Sequence, residues 1–125
     1  MQMNEGLDTG DILLVEKTKI EENETSGDLY ERLTVLGADV LLKTLDAIKS
    51  NSLNPQKQDD SKSSYAKMLD KTLSKIDWNL SASEVHNKIR GLDPWPVALT
   101  VFEGKNLKLF RSRLLDGEYL SLIHI

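Results

Sequence analysis

Glu5-Gly6-Leu7-Asp8-Thr9-Gly10-Asp11-Ile12-Leu13-Leu14-Val15 is a glycine-bounded polar turn that runs straight into a branched apolar stretch. So short an apolar run, bounded by turn signals, predicts a strand buried on both faces, continued with alternation from Glu16 to Ile20. A two-sided strand belongs to a covered sheet, so these residues point to an α/β domain. Thr25-Ser26-Gly27-Asp28 follows as a capping box, with a hydroxyl at the helix start and a carboxylate three residues on. Leu29, Leu33, Leu36, Val40, Leu41, Leu45 and Ile48 then recur mostly at intervals of three and four. That stripe is expected to face the sheet, while Glu31, Arg32, Asp39 and Lys43 face water. Gly6 and Gly10 precede a strand rather than joining a strand to a helix, so they read as turn glycines and not as a dinucleotide fingerprint.

From Asn51 to Ser64 there is no periodicity and almost no apolar content, which reads as a linker, centred on residues 54–64. Tyr65, Met68, Leu69, Leu73 and Ile76 give a weak helical signal. Ser81-Ala82-Ser83-Glu84 is a second capping box, opening a short helix whose apolar face carries Val85, Ile89 and Leu92. Pro94 and Pro96 end it. From Ala98 the pattern turns to period two: Leu99, Val101, Leu107 and Leu109 flank Glu103-Gly104-Lys105-Asn106, a hairpin signal that opens a β-rich part. Trp78 and Trp95 are expected in the core, the other reading being platforms for nucleobases. His86, beside Asn87 and Lys88, is expected to be a solvated helix histidine.

The absence of cysteine excludes a disulfide scaffold, a thiolate metal site and a cysteine nucleophile, and it fits a reducing compartment. No metal site is expected. No apolar run approaches the ~18 residues of a membrane span, and the start lacks the charged-then-apolar layout of a secretory signal. The expected location is cytoplasmic. Net charge is −4, but unevenly spread: residues 1–60 hold six Lys/Arg against thirteen Asp/Glu, and residues 61–125 ten against seven. A basic second half suits an anionic partner such as RNA; ordinary surface charge is the other reading.

Asp8 is the candidate for chemistry. A carboxylate in a Gly-bounded turn before a buried strand is expected to be rigidly held and partly desolvated, two conditions of a positioned acid or base. Aspartates in such turns can also simply bond to nearby amides, the role read for Asp11.

Leu7-Asp8-Thr9-Gly10 resembles the closing active-site segment of folate-dependent formyltransferases. Ile76-Asp77-Trp78, the stretch from Asn87 through Ile89-Arg90-Gly91-Leu92, and Pro94-Trp95-Pro96 resemble the second domain of the methionyl-tRNA formyltransferase family, in the same order. The resemblance implies the end of a Rossmann-like catalytic domain over residues 1–53, a linker over 54–64, and the start of an OB-like β-barrel tRNA-binding domain over 65–119. It implies transfer of a formyl group from 10-formyltetrahydrofolate to the amino group of initiator methionyl-tRNA in translation initiation, by an enzyme that is monomeric at full length. In that family the residue matching Asp8 takes part in proton transfer, together with an Asn and a His from earlier in the chain; without those two, this chain is expected to be inactive. Leu7, Thr9 and Gly10 match positions beside the folate pocket. The expected tRNA contacts are Lys67, Lys71 and Lys75 near the linker, with Lys105, Lys108, Arg111 and Arg113 around the hairpin; Lys71 matches a usually basic position. Val97 departs from the family's Gly or small residue and reads as a loop variation.

Sugar-nucleotide formyltransferases and formyltetrahydrofolate dehydrogenase share both domains and remain alternatives. A stand-alone RNA-binding module is a third, but it leaves Ile12 to Val15 with no sheet to join. Without sheet neighbours, the first fifty residues are expected to fold poorly by themselves. Residues 120–125, Leu-Ser-Leu-Ile-His-Ile, resemble the translation of a transposon-end sequencing adapter and read as a non-native tail in which His124 has no role. The competing reading is a genuine strand.

Overall fold

The computed structural model describes residues 1–115, so the adapter-like tail lies outside the described residues. The chain forms two compact units: one of Met1–Glu21 with Asp28–Met68, the other of Glu22–Gly27 with the chain from Leu69 onward.

In the first unit the predicted helix forms as α1, Ser26–Lys49. Leu29, Leu36, Val40, Thr44 and Ala47 make a half-buried stripe at helical spacing. None of its residues is fully buried, and Leu33, Leu41, Leu45 and Ile48 are exposed. Its polar ties within this unit include Lys43 Nζ to Glu16 Oε1 at 2.9 Å and the Arg32 guanidinium to the Thr18 hydroxyl and the Lys19 carbonyl. The two-sided strand expected over residues 12–15 is absent. Ile12 makes one isolated antiparallel bridge to Gln56, and Leu14 and Val15 are exposed. A strand buried on both faces needs a neighbour on each edge and a cover on each face, and among the described residues Gln56 is its only ladder partner. Residues 54–64 are not a plain linker either, since Gln56 supplies that bridge and Asp60–Lys62 wind a 3-10 turn.

In the second unit the capping box forms in full. Glu84 N donates to Ser81 Oγ at 3.3 Å and Ser81 N donates to Glu84 Oε2 at 2.9 Å, opening helix α2 over Ala82–Gly91. Val85 and Ile89 of α2 pack with Leu92, Ile76 and Ala98 into the core, against which Leu109 rests. Strands β1, Ala98–Phe102, and β2, Lys105–Leu109, pair antiparallel with Phe102 opposite Lys105. The turn is therefore Glu103-Gly104 alone, at φ 47 and 75, the left-handed pair that suits a two-residue hairpin. Lys105 and Asn106, expected in the turn, belong to β2. The weak helical signal over residues 65–76 yields only a 3-10 turn, Lys71–Ser74. Beyond it the backbone is committed to a sheet edge, with Lys75 bridging Leu99 in parallel and Ile76 N donating to Leu99 O at 2.9 Å.

Val97 sits at φ 72 and donates its N–H to the Leu92 carbonyl at 2.9 Å. A β-branched residue in the left-handed region is a true outlier. The departure at this position thus involves the backbone conformation itself. Left-handed backbone costs an L-residue roughly 1–2 kcal/mol, less the entropy that glycine loses on folding. Val97→Gly should therefore stabilise the second unit by about 0.5–1 kcal/mol, read as a raised urea midpoint by tryptophan fluorescence; a lowered midpoint would contradict it.

The Ser81 side chain, then the Ser81 backbone N–H, hold the Glu84 carboxyl below its ordinary value of 4.5. A depressed folded-state pKa contributes stability above the unfolded value and loses it as pH falls through the folded one. Helical signal from α2 should decline below about pH 4.5, and Glu84→Gln should flatten that acid limb in circular dichroism.

Candidate functional site

The turn at Asp8 is built by backbone contacts. Gly10 is buried, and a Cβ there would lie 1.7 Å from the Gln2 carbonyl oxygen, so only glycine lets the first residues cross it. Gln2 N donates to Asp11 O at 2.8 Å, so Asp11 holds the turn through its carbonyl. Asn4 Oδ1 accepts from Gly6 N at 3.1 Å and from Thr9 Oγ1 at 2.7 Å. Asp8 itself stands at φ 54, a conformation that Asp tolerates better than most residues. Gln58 Nε2 donates to both the Asp8 and the Gly10 carbonyls at 2.7 Å each. Its single side chain therefore clamps both ends of Asp8-Thr9-Gly10. Nothing local marks Gln58, which lies fifty residues from Asp8 in a stretch that reads as a linker.

Asp8, Leu7 and Thr9 are exposed, which corrects the expectation that Asp8 is partly desolvated. No element among the described residues covers the turn. The structure provides an exposed carboxylate on a fixed backbone.

In the second unit, Lys71, Lys75, Lys105, Lys108, Arg111 and Arg113 are all exposed. Lys67 falls in the first unit. The six do not form one patch. Alternation along β2 puts Lys105 and Lys108 on opposite faces of the hairpin. Lys75 and Lys108 instead share a rung, because both pair with Leu99, one on each side. Beside Lys75, Asp77 Oδ1 accepts from Asn79 N at 3.0 Å and Asn79 Nδ2 at 2.8 Å. Those two bonds, with the charge of Lys88, hold the Asp77 carboxyl below its ordinary value.

Trp78 and Trp95 are 42% and 53% exposed, contrary to their expected place in the core. The five-residue core is filled by smaller side chains around Ala98, and Trp78 lies outside it with Nε1 donating to Thr100 Oγ1 at 2.9 Å. His86 is buried rather than solvated, at 4% exposure. Its Nε2 lies 3.1 Å from Glu22 O and its Nδ1 2.9 Å from Ser112 Oγ. A carbonyl only accepts, so Nε2 donates to it. The missed signal was position: His86 directly follows Val85 and precedes Ile89 by three, on the apolar side of α2. Among the described residues no cluster of His, Asp and Glu could hold a metal ion, and no helix is long and apolar enough to cross a membrane.

Residues 1–45 match the family described as formyl transferase, and residues 68–121 match the formyl transferase C-terminal domain. A methionyl-tRNA formyltransferase of Lachnospira eligens is 51% identical over 94% of this chain and 37% of its own length. One from Clostridium novyi is 47% identical over 93% of this chain and 38% of its own length. The chain thus spans under two-fifths of the curated relatives it matches. The crystal structure of a 4-N formyltransferase from Francisella tularensis shares the fold, with a TM-score of 0.70 at 23% identity, over 90% of this chain and 49% of that one.

Gln58→Ala should free both turn carbonyls at a local cost of about 1 kcal/mol. Amide exchange at Ile12, whose N–H bonds to Gln56 O, should quicken roughly fivefold; unchanged exchange would show that the turn holds without the clamp.

Proposed function

Since this chain belongs to the formyl transferases, carrying parts of both family domains, we propose that it serves formylation of the amino group of initiator methionyl-tRNA in translation initiation, with 10-formyltetrahydrofolate as donor. The observation that carries this reading is the name shared by its curated relatives at up to 51% identity, together with the clamped Asp8 turn. In this reading residues 1–53 are the end of a Rossmann-like catalytic domain. Residues 54–64 are the connection, and residues 65–119 open an OB-like barrel, which the hairpin with its Lys75 edge would begin.

The chemistry is acyl transfer between nitrogens. The methionyl amine attacks the formyl carbon, a C–N bond forms, and negative charge develops on the former carbonyl oxygen. The bond to the folate nitrogen then breaks as that nitrogen takes a proton. Asp8 accepts, through water, the proton that the amine sheds. Leu7, Thr9 and Gly10 lie against the folate, Gly10 through backbone alone. The oxyanion needs hydrogen-bond donors other than Asp8 and its neighbours. The tRNA is held through phosphates by Lys67, Lys71 and Lys75 near the connection and by Lys105, Lys108, Arg111 and Arg113 around the hairpin. The complete enzyme is a cytoplasmic monomer. Other acceptors, such as sugar nucleotides, have less support, because the relatives at up to 51% identity are named for methionyl-tRNA.

With the chain extended to the length of its relatives, Asp8→Asn should lower turnover by about 10² or more while leaving tRNA affinity nearly unchanged. Single-turnover formylation of initiator methionyl-tRNA measures this. Near-normal turnover would remove Asp8 from the mechanism.

A further inference from the structure

We propose that Lys88 of α2, at the sheet edge, completes with Lys75 and Lys108 of the outer face a phosphate-binding corner of the second unit. The corner follows from the ladder. Ser74 and Ile76 are buried and Lys75 between them is exposed, so the edge segment alternates inward and outward as a strand does. Lys75 pairs with Leu99, and Leu99 with Lys108, which puts the three residues on one rung and one face. Ala98 is buried and Leu109 half-buried, so the opposite face is the one turned to the core. Two strand spacings separate Lys75 from Lys108, about 10 Å. Leu99 between them offers apolar surface along which both lysine stems can lie while their ammonium groups meet solvent.

Lys88 reaches the Lys75 edge from the helix, on the core-facing side. Its Nζ donates to the Lys75 carbonyl at 2.7 Å, which fixes the cation at the sheet edge beside Lys75. An ammonium has three donors, and a single carbonyl takes one of them, so two remain for phosphate oxygens. Of the acids close to Lys88, Glu84 is engaged by the Ser81 cap and Asp77 by Asn79, with the charge of Lys88 also acting on Asp77; three cations against two carboxylates leave the corner positive. Lysine binds phosphate as a point charge and needs no planar partner, which suits an RNA backbone. The competing role for Lys88 is structural: its ammonium would only cap a carbonyl of an exposed edge.

The corner rests on the proposed tRNA reading, and the experiment separates the two. Affinity of the full chain for uncharged initiator tRNA is measured from roughly 50 to 200 mM salt, where phosphate contacts dominate the dependence. Lys88→Gln and Lys108→Gln should each flatten the slope of log K against log salt by about one unit. Lys88→Arg, which keeps the charge, should preserve the slope, and Lys62→Gln in the first unit should not change it. If the wild-type chain shows no salt-dependent tRNA binding, the tRNA reading falls and the corner with it. If it binds and Lys88→Gln keeps the full slope, the corner alone is wrong and Lys88 is an edge cap.

Discussion

Ala98 is the point on which the second unit turns. It is fully buried, where β1 meets Val85 and Ile89 of α2, Ile76 of the edge segment, and Leu109 of β2. A methyl group is what allows these elements to close on one another, since protein interiors tolerate little extra volume. The same contact fixes which way each neighbouring residue points. With Ile76 and Ser74 turned toward Ala98, Lys75 must turn away; with Leu109 turned in, Lys108 must turn out. The charge pattern of the outer face is thus a consequence of core packing. So is the exposure of both tryptophans, because a core closed around an alanine has no room for an indole.

The first unit is organised differently. Gly10 and the Asn4, Gln56 and Gln58 side or main chains hold the Asp8 turn through hydrogen bonds, each contributing a net stabilisation of only about 1 kcal/mol. Positioning a carboxylate requires a fixed Cα–Cβ direction, and a clamped backbone at φ 54 supplies that. Exclusion of water is a second condition of a reactive carboxylate, and Asp8 is exposed. Geometry and desolvation are separable ingredients of a catalytic carboxylate, and this segment encodes the first.

What was legible in the sequence was local. The Ser81–Glu84 box and the α1 periodicity depend on residues within four positions of one another, and the hairpin on strands joined by a two-residue turn, so composition and spacing suffice to read them. Around Leu7-Asp8-Thr9-Gly10 the turn itself was legible from Gly10, whose lack of a side chain the crossing of Gln2 requires. What failed depended on partners far along the chain. The strand at Ile12 needs neighbours that spacing cannot supply, and the helix expected after Tyr65 gave way because Lys75 and Ile76 bond to Leu99 instead. Gln58 looked like linker composition because its two acceptors lie near the start of the chain. Val97 was recognisable as a departure, but its positive φ was not.

His86 illustrates a further limit and what lies behind it. With Arg90 Nη1 donating to Glu24 O at 3.1 Å, and Asp93 O accepting from Ser26 Oγ at 2.6 Å and Gly27 N at 3.0 Å, it holds the segment Glu22–Gly27 against one side of α2 and its exit. These positions are spaced by four and three, the helical repeat, but their partners are mostly backbone atoms. The side chains of the held segment are constrained as well, since Thr25 is buried and Ser26 Oγ is itself a holding donor, and bulk is excluded where the backbones approach closely. Gly27 is such a place, since a Cβ there would come within 2.9 Å of Pro94 Cδ. A polar residue on an apolar helix face is therefore informative even when no partner is evident in sequence: burial obliges it to find one, and a main-chain carbonyl, present at every position, is the partner that sequence does not advertise.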